Sequence, residues 1–69
     1  MENKFAERIK ELRKEKGWTQ EQLASFLGYK RTAITKWETK NKEPEYNILI
    51  KISKLFGVTI DYLLGNEDY

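Results

Sequence analysis

The sequence contains no cysteine and no histidine. That excludes a disulfide framework and the zinc-finger ligand sets, the two usual ways of stapling a very small domain. It also removes the commonest general base and the best side-chain nucleophile, so the composition points away from an enzyme and calls for no metal and no cofactor. Long apolar runs are missing too: nothing approaches the ~20 residues of a membrane span, and the start Met1-Glu2-Asn3-Lys4 lacks the apolar core of a secretory signal. The expectation is a cytoplasmic protein. Proline occurs once and glycine four times, with no low-complexity tract and no internal repeat.

What is present fits one domain spanning residues 1–69. A globule of 69 residues and 8.3 kDa buries only roughly 60% of the surface its unfolded chain exposes, so its margin of stability is thin. Thirteen cations against eleven anions leave a net charge of only +2, but the charges are unevenly placed. Residues 1–29 carry +1, residues 43–69 carry −3, and the thirteen residues from Lys30 to Lys42 carry +4, with five cations and Glu38 as their one anion. Such a cluster suits a phosphate backbone, although a charge run by itself is equally the mark of a solvated face.

Gly17, Gly28, Pro44, Gly57 and Gly65 divide the chain, and between them apolar residues recur at three- and four-residue spacing. The pattern predicts helices throughout. Phe5, Ile9 and Leu12 form the first face, with Gly17 as the left-handed residue beyond the helix end. Thr19 and Gln22 have the spacing of a capping box, Trp18 is placed to staple onto Leu23, and Leu23, Ala24 and Leu27 form the second face, ended by Gly28. A third helix over about Lys30–Glu38 is anchored by Ile34 and Trp37 and starts without a good cap. Pro44 suits the entry to a fourth helix with the face Ile48, Leu49, Ile52, Leu55 and Phe56. A short fifth helix starts at Thr59, with Val58 and Leu63 as its staple, and closes at Gly65. Phe5, Trp18, Phe26, Trp37 and Phe56 read as core or partial core, whereas Tyr46, Tyr62 and Tyr69 can be read either way.

Two helices joined by a short glycine-containing turn form a helix-turn-helix. Gln20-Glu21-Gln22-Leu23-Ala24, Gly28-Tyr29, Ile34 and Trp37-Glu38 resemble the motif of the phage repressor and Cro family, also called the xenobiotic-response-element family. The likeness continues through Pro44, Leu49, Ile52, Leu55, Gly57-Val58-Thr59, Asp61 and Leu63-Leu64-Gly65. It implies an all-α, compact five-helix bundle of the lambda-repressor-like type. Physical reasons run beside it: Ala24 is small where two helices cross, and Gly28 supplies the positive φ of the turn. The third helix is then free to enter a major groove about 12 Å wide.

The resemblance implies a sequence-specific transcriptional regulator of double-stranded DNA, a repressor acting as a homodimer on a pseudo-palindromic operator. Arg31, Thr32, Thr35 and Lys36 are the expected base contacts. Gln20, Lys30, Lys40, Asn41 and Lys42 are the expected phosphate contacts, Gln20 aided by the exposed amides of its helix start. Lys30 stands where serine or threonine is common, and Lys40 where many relatives have glycine. Arg13 and Glu38, both charged at core-facing positions, match a partly buried ion pair of the family. Val58, Ile60 and Tyr62 fall in the region through which the family often dimerises. A helix-turn-helix antitoxin or another protein-interaction module is the alternative; no segment to wrap a toxin is evident, and the common RNA-module signatures are missing. Taken as a whole protein, the chain has no sensing or cleavable domain after Tyr69, the plan of the small Cro-like regulators.

Overall fold

In the computed structural model, which describes residues 4–40 and 42–66, the chain forms five helices in the order α1 (Phe5–Glu15), α2 (Gln20–Leu27), α3 (Arg31–Glu38), α4 (Tyr46–Phe56) and α5 (Ile60–Leu64). No strand occurs among the described residues, and no helix there is long and apolar enough to cross a membrane. The architecture is the all-α, five-helix bundle expected from the sequence.

The apolar spacings build one core. Ile9, Leu23, Ile34, Ile48, Ile52 and Leu63 are its fully buried centre, so each helix contributes at least one residue. α3 packs on α2 and α1, and α5 closes against α1 and α4. Trp37 lies inside this core, with the ring of Phe5 edge-on at 6.4 Å and that of Tyr29 at 5.3 Å. No buried side-chain polar atom among the described residues lacks a partner.

The helix ends show how short segments become fixed. Thr19 Oγ1 accepts from the Gln22 amide at 3.0 Å while Gln22 Oε1 accepts from the Thr19 amide at 2.8 Å, completing the capping box. At the other end of α2, Gly28 has φ +77°, and the Tyr29 amide donates back to the Ala24 carbonyl at 2.8 Å. A Cβ on Gly28 would meet nothing within 4 Å, so glycine is needed there for its backbone freedom and not for space. α3 starts at Arg31 with Lys30 as an N-cap that makes no side-chain bond.

Three expectations need correction. Pro44 precedes the helix entry: Glu45 is the N-cap of α4, and the helix begins at Tyr46. Phe26 is not core. It is 57% exposed, its ring against that of Trp18 at 4.6 Å, and Trp18 in turn rests on Phe56 at 5.6 Å. Tyr62 is buried within the protomer, its ring covered by the Arg8 guanidinium at 4.2 Å. It is therefore withdrawn from the expected dimer patch, of which Val58 and Ile60 remain half-buried.

Lys40 is the one described residue other than glycine with a positive φ, +66°. It follows the end of α3, and its amide donates to the Trp37 carbonyl at 3.3 Å. The loop has thus kept a glycine-like turn on a lysine. The left-handed conformation costs an L-residue roughly 1–2 kcal/mol, and glycine returns part of that as unfolded-state entropy. Lys40→Gly should raise stability by about 0.5–1 kcal/mol in urea unfolding; a lower midpoint would show that the lysine is unstrained.

Candidate nucleic-acid interface

α3 has an inner and an outer side. Ile34 and Trp37 are buried, whereas Arg31, Thr32 and Lys36 are exposed. Thr32 and Lys36 are one turn apart and line a cleft with Tyr29 and Lys42. Lys36 also lies in the last turn of the helix, where a cation suits the carbonyl end of the helix dipole. Arg31 stands at the opposite end of α3, on the rim of an open groove of about 510 Å³ shared with Thr19, Gln20 and Glu21 at the start of α2.

Folding sharpens the charge of the segment from Lys30 to Lys42. Lys30, Arg31, Lys36, Lys40 and Lys42 are all exposed, while the single anion of the same segment, Glu38, has a side chain only 3% exposed. Its carboxylate takes Arg13 Nε at 2.7 Å and Arg13 Nη2 at 3.1 Å, a two-pronged pair across 25 positions of sequence. The third arm of the guanidinium, Nη1, donates to the Trp18 carbonyl at 2.8 Å. The segment therefore exposes its five cations while its own anion is turned inward and neutralised from α1, although the exposed Glu43 and Glu45 line the same cleft as Lys36 and Lys42. The ion pair expected between Arg13 and Glu38 is present.

Two residues expected at the ligand are engaged within the protein. Gln20 Nε2 donates to Glu38 Oε1 at 3.1 Å, and Gln20 Oε1 accepts from the Thr35 hydroxyl at 3.0 Å. The same hydroxyl lies 3.2 Å from the Arg31 carbonyl, a helix-internal acceptor. Gln20, Thr35 and Arg13 are each half-buried. Expected in separate roles, Gln20 and Thr35 are joined by a hydrogen bond. Asn41, the remaining expected phosphate contact, lies outside the described residues.

Comparison with known proteins agrees with this geometry. A sequence model of a family described as helix-turn-helix matches residues 9–63. The uncharacterized HTH-type transcriptional regulator YqaE of Bacillus subtilis (strain 168) is 44% identical over 63 residues, covering 91% of this chain and 54% of that protein. The HTH-type transcriptional activator BcrR of Enterococcus faecalis is 50% identical over 64 residues, covering 93% of this chain and 31% of the relative. The chain thus spans about half, or less, of the length of these two relatives. Among solved structures, the P22 c2 repressor protein in complex with synthetic operator 9T is similar with a TM-score of 0.84 and 33% identity, covering 91% of this chain and 96% of that one. A transcriptional regulator from Listeria innocua is similar with a TM-score of 0.88 and 28% identity, covering 94% and 61%.

Proposed function

We propose, because this chain belongs to the Cro/C1-type helix-turn-helix family, that it binds double-stranded DNA and regulates transcription, with α3 lying in the major groove. The observation that carries this reading is the segregation of charge around α3: Lys30, Arg31, Lys36, Lys40 and Lys42 are exposed while Glu38 is turned inward. A solvated helix surface has no need to be cleared of its anion. A phosphate backbone does, since each neutralised phosphate releases condensed counterions and supplies affinity independent of sequence.

Arg31, Thr32 and Lys36 are the residues we assign to base edges. Arginine and lysine donate to O6 and N7 of guanine, and threonine offers a hydroxyl to a base or a methyl to thymine. Lys30, Lys40 and Lys42 flank them and are assigned to phosphates. Gln20 joins these at the start of α2, where it lines the same open groove as Arg31. Regulation is by occupancy of an operator, as a repressor. The protein acts as a homodimer on a pseudo-palindrome whose half-sites lie about one helical turn, ~34 Å, apart. The likeness to P22 c2 repressor in complex with an operator supports the reading of an operator as the ligand.

The test is direct binding of the purified protein to duplex DNA at a series of salt concentrations. The logarithm of the affinity should fall linearly with the logarithm of salt, with a slope of roughly −0.9 per phosphate engaged. Absence of binding to any duplex at low salt would instead favour a module whose helices dock a protein partner.

A further inference from the structure

The carboxamide of Gln20 is held by two residues of α3 at once. Its Nε2 donates to Glu38 Oε1 at 3.1 Å and its Oε1 accepts from Thr35 Oγ1 at 3.0 Å. The chemistry of the partners leaves the amide one orientation. An ionised carboxylate only accepts, so the NH2 group must face Glu38, and the oxygen is thereby turned to the Thr35 hydroxyl. The reverse orientation would set two acceptors against each other at Glu38. Glu38 is itself fixed by two bonds from Arg13. The order of restraint therefore runs from α1 through Glu38 to Gln20, and Thr35 closes it from the other side.

A threonine hydroxyl has one proton. Here it lies 3.0 Å from Gln20 Oε1 and 3.2 Å from the Arg31 carbonyl, both acceptors within the protein. That proton is committed before any ligand arrives. The second N–H of the Gln20 amide, in contrast, has no partner among the described residues. It belongs to a side chain on the rim of the open groove at the start of α2.

We infer that Thr35 is a positioning residue for DNA binding: its hydroxyl locks the Gln20 carboxamide so that the remaining amide proton is presented to a phosphate, and it does not read a base. This rests on the DNA-binding reading above and replaces base contact as the role of Thr35 on the outer side of α3.

The test compares Thr35→Val, Thr35→Ser, Gln20→Ala and the Thr35→Val/Gln20→Ala double variant, each checked for folding by a thermal melt. Binding is measured to a selected duplex and to a panel differing from it by single base pairs. Valine has the shape of threonine and keeps a methyl, so a contact to a thymine methyl survives and only the hydroxyl is removed. Thr35→Val should weaken binding about three- to tenfold, the scale of one net hydrogen bond, by the same factor for every duplex in the panel. Thr35→Ser should restore the affinity, and Thr35→Val should have no effect when Gln20 is already alanine. In the free protein, the two side-chain amide protons of Gln20 should give well-dispersed NMR signals, and in Thr35→Val the signals should shift and their dispersion shrink, with part of it kept by the bond to Glu38. A change of preference confined to one base pair, or an undiminished effect in the Gln20→Ala background, overturns the inference. Failure of the unsubstituted protein to bind any duplex overturns the DNA-binding reading itself, and with it this role; that outcome is distinguishable because it requires no variant.

Discussion

Glu38→Ala should lower the stability of the domain by about 3–5 kcal/mol, the cost of leaving a buried partner charge uncompensated. The geometry separates this pair from the many surface ion pairs worth less than about 1 kcal/mol. Its side chains are 3% and 12% exposed, it is bidentate, and it ties α1 to the end of α3. Alanine would strand the Arg13 guanidinium, with only the Trp18 carbonyl left of its contacts, and would remove the acceptor that orients Gln20. A chain of 69 residues has a total stability of only about 3–10 kcal/mol, so the variant should be partly unfolded at room temperature, or melt more than about 10 °C lower. Replacing both charges, as Arg13→Met with Glu38→Leu, should recover much of the loss, because the main penalty is the orphaned charge and not the missing attraction. A fall in urea-derived stability below about 1 kcal/mol for Glu38→Ala would show that the pair behaves as a solvated one.

The second large effect is expected at Lys36. It is exposed on the outer side of α3, one turn beyond Thr32 and away from the Gln20 network. Its loss should therefore leave folding intact and act on recognition. Lys36→Ala should remove about 1–3 kcal/mol of discrimination at one base pair of each half-site, while preference elsewhere is kept. Lys42→Ala is the contrast. Assigned to a phosphate, it should weaken all duplexes alike and lower the salt slope by about one contact. The measurement is a binding panel over single base-pair variants for each protein. An unaltered pattern and affinity for Lys36→Ala would remove that residue from the base-reading set.

The parts of this architecture that obey local rules are legible without a structure. The capping box of Thr19 and Gln22 lies within four residues, and the turn at Gly28 needs only one left-handed backbone. Arg13 and Glu38 stand out because helical spacing places two charges on faces that should be apolar. What the spacing does not carry is how one helix is rotated against another. The bond from Thr35 to Gln20 joins residues 15 positions apart and depends on the roll of α3 over α2, so Thr35 reads from sequence as one more outward polar residue. Tyr62 is hidden for a similar reason: it is buried where α5 meets α1, with Arg8 of that helix over its ring. Phe26 fails the other way, since aromatic character suggests core while its position outside the Leu23, Ala24 and Leu27 face sends it to the surface. At Lys40 the family pattern marks a glycine position, and only the backbone reveals that the left-handed turn is retained without glycine.

Selection of bound duplexes from a random pool by the unsubstituted protein tests most directly whether the outer side of α3 reads sequence. The expected result is enrichment of an inverted repeat whose half-sites are centred about 10 base pairs apart, the distance that matches one turn of the double helix. A pool that stays random after repeated rounds, with binding that depends on salt alone, would contradict it.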